Sequence, residues 1–174
     1  MLAQHSSASF EHYTPSHVVE MARNVLGGID LDPCTSEEAN KVVRATHTIC
    51  LPNDGLSYSW PGRLFVNPPG GTLTDENERK TYGTRSRAAA WWCKLVEEYL
   101  LGNTTSAIFV GFTLEILRST QHSKIPLACA SLCFPAKRLA FSGGSPTHAN
   151  VIAYLGTDKD LFRKVFEELG VVRT

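Results

Sequence analysis

No stretch of this sequence stays apolar for the roughly 20 residues that a bilayer-spanning helix requires, so no membrane segment is expected. The opening, Met1 to Phe10, is polar and lacks the apolar centre of a secretory signal; it reads as a loose tail of a protein that stays in the cytoplasm. An excess of either charge is missing too, with 17 Lys and Arg against 17 Asp and Glu. Proteins that hold nucleic acid through phosphate contacts are usually basic. Such a partner would therefore have to be met through a local patch. The five cysteines, Cys34, Cys50, Cys93, Cys129 and Cys133, are odd in number and form no C-x-x-C pair. That excludes a zinc ribbon and a disulfide framework and leaves reduced, buried thiols as the reading. The six histidines have no metal-ligand spacing, so no metal is expected. The glycine-rich dinucleotide fingerprint is absent, which removes support for hydride transfer on a nicotinamide. No Ser/His/Asp or Cys/His arrangement, internal repeat or low-complexity segment is evident.

What is there is an ordinary globular composition over 174 residues, 43% hydrophobic and 20% charged. This fits one domain with a sizeable core, taken as residues 11–174. Apolar periodicity predicts a helix over 14–26, with Thr14 as cap, Pro15 in the first turn and Gly27-Gly28 as stop. A short strand is expected over 29–32, a helix over 36–44 with Thr35 and Glu38 as a capping box, and a strand over 45–51. A turn-rich loop follows, then a strand over 63–66 that must end at Asn67-Pro68-Pro69, because proline cannot extend a central ladder. Residues 70–85 look irregular. A strong amphipathic helix covers about 86–101. A strand over 107–111, a short helix over 113–120 and a strand over 127–134 come next. Residues 137–141 and 150–155 look like a strand pair around a glycine-rich loop, and a last helix runs over about 158–169. Alternating strands and helices predict an α/β fold whose mainly parallel sheet is covered on both faces. In such sheets ligands bind beyond the carboxyl ends of the strands.

Residues just after strands therefore carry the candidate chemistry. Asn67-Pro68-Pro69 offers an amide oxygen and a carbonyl on a backbone stiffened by two prolines. Those two acceptors can hold both N–H bonds of one amino group and aim its lone pair at an electrophile; the same residues also serve as a plain strand-ending turn. Asp30 and Asp32, at alternate positions of a short strand, break the apolar run of a buried parallel strand. A carboxylate there can bind a ligand ammonium, or simply cap the next helix. Asp54, in Asn53-Asp54-Gly55, can accept from an adenine amino group or shape a tight turn. Tyr13 and Thr14 open the first helix, where backbone N–H groups favour a carboxylate. Arg79, Lys80, Arg85 and Arg87 around Tyr82 form a basic loop, at about 70–87, suited to phosphates or merely solvated.

Taken in order, Tyr13-Thr14-Pro15, Gly28-Ile29-Asp30-Leu31-Asp32-Pro33, Glu38-Ala39-Asn40, Asp54-Gly55-Leu56, Trp60 and Asn67-Pro68-Pro69 resemble the phage-type DNA N-6-adenine methyltransferase (Dam) family. The resemblance extends through Cys133-Phe134-Pro135 to Ser145-Pro146-Thr147-His148, over roughly residues 11–156. It implies an abbreviated, Rossmann-like S-adenosylmethionine-dependent methyltransferase fold in a bacterial or phage-infected cell. It implies S-adenosyl-L-methionine as cofactor and methyl transfer to adenine N6 in DNA, with the target base leaving the duplex. Asn67, Pro68 and Pro69 would then form the catalytic turn. Asp32, with Tyr13 and Thr14, would bind the methionine end of the cofactor and Asp54 its adenine; Asp30 and Pro33 would be further cofactor-binding residues. Competing readings are the same chemistry on an RNA base, cytosine N4 or a protein glutamine, and a non-catalytic relative that only binds nucleic acid. One departure stands out: the aromatic residue that usually follows Asn-Pro-Pro is Gly70 here. Stacking on the base would have to come from Phe112, Tyr82 or Phe134.

Overall fold

A computed structural model describes residues 13–112, 130–141 and 149–174. The tail at 1–10, the helix expected over 113–120 and the glycine-rich loop at 142–148 lie outside them. The elements, in chain order, are α1 (Ser16–Leu26), β1 (Leu31–Thr35), α2 (Glu37–Val43), β2 (His47–Cys50), a 3-10 turn (Gly55–Ser57), β3 (Gly62–Val66), α3 (Glu76–Tyr82), α4 (Arg87–Leu100), β4 (Thr104–Gly111), β5 (Ser131–Pro135), β6 (Val151–Leu155), α5 (Lys159–Phe166) and β7 (Gly170–Arg173). The strands form one mixed sheet in the order β2-β1-β3-β4-β6-β5-β7. The first four are parallel, whereas β6 runs antiparallel to β4 and β5, and β7 antiparallel to β5. The fold is thus α/β, with a sheet that is parallel in only one half.

Strand alternation divides the core into two layers. Phe65, Ile108, Val110 and Ile152 face α1 and α5, where Val18, Val19, Ala22, Phe162 and Phe166 meet them. Leu64, Val66, Ala107 and Phe109 face α4, where Trp91, Trp92, Leu95 and Val96 are buried. Helices therefore cover both faces. Under α4, Trp60 stacks on Trp91 at 5.3 Å and its indole N–H donates to the Gly55 carbonyl at 2.8 Å. Buried Glu98 accepts from the Trp60 amide, Asn103 and the Lys94 ammonium. Burial opposes its charge, but those donors prevail and hold its carboxyl below the ordinary value.

Several sequence expectations shift. Pro15, not Thr14, occupies the cap position of α1, with no side-chain cap. A residue before proline is biased towards extended backbone, and Thr14 is buried instead of capping. Ser36, not Thr35, caps α2 by accepting from the Ala39 amide at 3.2 Å. Residues 70–85 are not irregular: Asp75 caps α3 by accepting from the Glu78 amide. Residues 137–141 form no strand, and β6 pairs with β4 and β5. The last helix ends early because Gly170 opens β7 rather than merely stopping α5.

A candidate active site at the carboxyl edge of the sheet

The order β2-β1-β3 means that the chain leaves β1 to one side and returns on the other. This reversal is the place where open α/β sheets form a ligand crevice beyond the strand ends. Here it falls between β1 and β3. Pro33 has no N–H for a ladder, and β1 carries a register shift between Asp32 and Thr35. Registered pairing between β1 and β3 is confined to Leu31 opposite Leu64. Beyond that pair the two carboxyl ends carry Asp32-Pro33-Cys34 and Asn67-Pro68-Pro69. The Cys34 thiol spans them, donating to the Asn67 carbonyl at 3.3 Å. Burial pushes that thiol well above the ordinary range, and the Asp32 charge adds to the effect.

Asp32 is 2% exposed. Burial raises its carboxyl to about 7, against partial relief from the Cys34 amide and the Thr35 side chain. Among the described residues no Lys or Arg forms an ion pair with it. A buried carboxylate without a cation is costly, and such perturbed groups cluster at functional sites. Leu31 belongs to the α4 layer, so Asp32 faces the α1 side by alternation. Phe65 faces that same side, and Asn67 stands two residues further on.

The N-terminus of α1 completes this edge. Arg63, near the amino end of β3, donates to the Leu26 and Gly27 carbonyls at 3.4 and 2.8 Å, fixing the end of α1 at the opposite edge of the sheet. An 11-residue helix spans about 16 Å, close to the length of a five-residue strand. Packed along β3 and β4, α1 thus begins at their carboxyl ends. Its dipole favours negative charge there. Among the described residues the hydroxyl oxygen of Thr14, at this end, is buried without a hydrogen-bond partner. Tyr13 is half-buried beside it.

Asp30 departs from its expected place. It precedes β1, and both its oxygens accept from Arg63, from the backbone amide at 2.8 Å and the guanidinium at 2.8 and 2.7 Å. Those bonds hold its carboxyl down at about 2. This clamp sits at the amino edge, away from Asp32, and its role is to tie α1, β1 and β3 together.

Asp54 is exposed, and it caps its own 3-10 turn by accepting from the Leu56 amide at 3.0 Å and the Ser57 hydroxyl at 2.9 Å. The turn is nevertheless delivered to the site. A Cβ on Gly55 would lie 2.1 Å from the Pro33 carbonyl oxygen and 2.6 Å from the Trp91 ring, so only glycine lets the turn dock on the end of β1.

The segment 70–87 is a closed loop. The Leu73 amide donates to the Arg85 carbonyl and the Arg87 amide to the Gly71 carbonyl, at 2.8 and 3.1 Å. Asp75, Glu76 and Glu78 offset all but one of its four basic residues, so the segment is less basic than expected. Lys80 pairs with Glu76, and Arg79 donates to the Leu73 carbonyl. Among the described residues Arg85 and Arg87 form no ion pair. Burial, and the charge of Asp54 and of Glu97 on α4, push the Tyr82 hydroxyl up, which sets this ring on the α4 side.

Two contacts escaped the sequence reading, which named Phe112 but neither Phe141 nor Asn150 among the candidate residues. Phe112, just past β4, stacks on Phe141 at 4.6 Å. Buried Asn150 accepts from the Leu139 amide at 3.1 Å and donates to the Gly111 carbonyl at 3.5 Å, pinning residues 139–141 to the end of β4. A polar residue directly before the apolar run of β6 was the available signal. Among the described residues there is no group of three or more His, Cys, Asp or Glu that could hold a metal, and no helix is long and apolar enough to cross a membrane. Cys34, Cys50, Cys93 and Cys133 are free thiols. Compared with protein-family models, with curated proteins and with solved structures, the sequence finds no match.

Proposed function

We propose that this chain is an S-adenosylmethionine-dependent methyltransferase of Rossmann-like fold, related to the phage-type DNA N-6-adenine methyltransferases, acting on adenine N6 in DNA. The observation that carries the reading is the bond from Cys34, two residues after buried Asp32, to the carbonyl of Asn67 in Asn67-Pro68-Pro69, at the chain reversal between β1 and β3. The buried carboxylate calls for a cationic partner, which the cofactor's amino group would supply. Tyr13, Thr14 and Pro33 would border that end, and the turn of Asp54 would border the adenine end. The cofactor, when bound, supplies an electrophilic methyl group. The chain's own part is positioning. The Asn67 side-chain oxygen and the Pro68 carbonyl would each accept one N–H of the target amine, leaving its lone pair free to attack. The proton then leaves the product nitrogen for water, so no strong base is required. Arg85 and Arg87, with Arg79, Lys80 and Tyr82 around them, would meet phosphates.

The test is mass spectrometry of nucleosides from DNA of cells expressing the chain or its Asn67→Ala variant. N6-methyladenine should accumulate with the first and vanish with the second, while cofactor binding by calorimetry stays intact. Purified protein given mixed DNA, RNA and protein with labelled cofactor must place the label on DNA adenine. Label on another amine would replace the substrate, and no cofactor binding would remove the reading altogether.

A further inference from the structure

An extrahelical base loses the stacking of its neighbours, and enzymes that act on such bases restore it with aromatic or apolar side chains. At the turn itself nothing can do so. Gly70 and Gly71 have no side chain, and among the described residues a Cβ on either would meet no atom within 4 Å. A ring must come from another element.

The sheet separates three aromatic residues, Phe134, Tyr82 and Phe112. Phe134 lies on β5, separated from β4 by β6, and packs against the α4 layer. Tyr82 closes α3, and the charges that act on its hydroxyl, those of Asp54 and of Glu97 on α4, set it on the α4 side, across the sheet from the layer that Asn67 faces. Phe112 follows β4, the strand next to β3, and packs against the α1 layer that Asn67 faces. The register sets Val66 opposite Phe109, so Asn67 stands beside Val110 and Phe112 lies two residues further out. With strands roughly 5 Å apart and a rise of roughly 3.3 Å per residue, their Cα atoms are about 8 Å apart. A ring at that offset can cover a base whose amino group sits at Asn67. Phe112 is only half-buried. Phe141 stacks on it with an interplanar angle of 28°, and Asn150 fixes the segment that carries Phe141.

We propose that Phe112, backed by Phe141, is the stacking surface for the target base and replaces the aromatic residue missing at Gly70. This inference rests on the methyltransferase reading above. The test measures methyl transfer to DNA by the full chain and its Phe112→Ala, Phe112→Leu and Phe112→Tyr variants, with Asn67→Ala alongside. Loss of one base stack should lower kcat/KM for DNA at least about 5-fold in the Ala and Leu variants. The Tyr variant should stay within about 3-fold of the parent, and cofactor affinity should not change. A merely structural ring would be replaced adequately by leucine, so parental activity of Phe112→Leu overturns the proposal. So does parental activity of Phe112→Ala. If Asn67→Ala has then lost activity, the methyltransferase reading survives without the stack. If the parent chain transfers no methyl group to DNA, the reading fails and the stack falls with it. Should Phe112→Ala not fold, the Leu and Tyr pair decides.

Discussion

Replacing Asp32 by asparagine should make the ligand-free protein more stable and at the same time impair it. The Asp32 carboxyl is raised to about 7 by burial, against an ordinary value of 3.8. The folded state therefore holds this proton more tightly than the unfolded chain. The resulting stability is fully present below the ordinary value and is lost as pH rises through 7. A rise of that size corresponds to about 4 kcal/mol of stability lost by pH 8, and about 2 kcal/mol at pH 5.5. The asparagine side chain of the variant carries no titrating proton, is nearly the same size, and can still accept from the Cys34 amide. Urea titrations of parent and Asp32→Asn protein should thus nearly coincide in midpoint at pH 4 and separate progressively towards pH 8. In thermal melts at pH 8 the variant should gain about 10 °C. Calorimetry with S-adenosylmethionine should show the opposite preference, with about 100-fold weaker binding once the charged partner is gone. A stability difference that is the same at pH 4 and pH 8, or a variant less stable at pH 8, would refute the claim that this carboxylate is buried without a cation.

Three further perturbations test the frame around the site. Glu98→Ala leaves the Lys94 ammonium and the Trp60 amide without their acceptor, and should cost about 3–5 kcal/mol in a urea titration. In the parent the stability from this carboxylate is present above the ordinary carboxylate range and lost as pH falls through its lowered value, the reverse of Asp32. Gly55→Ala drives a methyl group into the Pro33 carbonyl; a loss of about 1–3 kcal/mol is expected, with weaker cofactor binding as the Asp54 turn lifts. Asp30→Asn should lower stability by under about 1 kcal/mol, since more than a third of each partner in its ion pair is exposed. Its cofactor affinity should match the parent's; a large loss would return Asp30 to the site.

How much of this was readable beforehand depends on whether the signal is local. The stop of β3 at Asn67-Pro68-Pro69 follows from proline alone, and α4 from apolar periodicity, so both are where the sequence places them. The spacing of Asp30 and Asp32 suggested one face and one function. Their separation into clamp and buried carboxylate depends on Arg63, 33 residues after Asp30 and supplied by β3. Likewise Gly55 reads locally as a turn residue, whereas its need for glycine comes from Pro33 and Trp91, which only the folded chain brings against it. The antiparallel half of the sheet was hidden for a related reason. Strand propensity says that 151–155 and 170–173 can be strands, but not which neighbours they take.

The two edges of the sheet are built on opposite energetic principles, and the site depends on both. At the amino edge Arg63 and Asp30 satisfy one another while Arg63 also takes the last carbonyls of α1, so the helix is fixed at its far end. That anchoring determines where the other end of α1, with Thr14, meets the strands. At the carboxyl edge the polar groups are left wanting: among the described residues Asp32 has no cation and the Thr14 hydroxyl no partner. Such unsatisfied groups persist only where the surrounding structure holds them in place. Here the Trp60–Trp91 stack, the Glu98 hub and the docked Gly55 turn do so from the α4 side. A ligand that brings a cation to Asp32 would recover the free energy this arrangement withholds from the free protein. Binding and stability are therefore coupled through one carboxylate. The protection that S-adenosylmethionine gives against unfolding should be greater at pH 8 than at pH 5.5, and Asp32→Asn should abolish that difference.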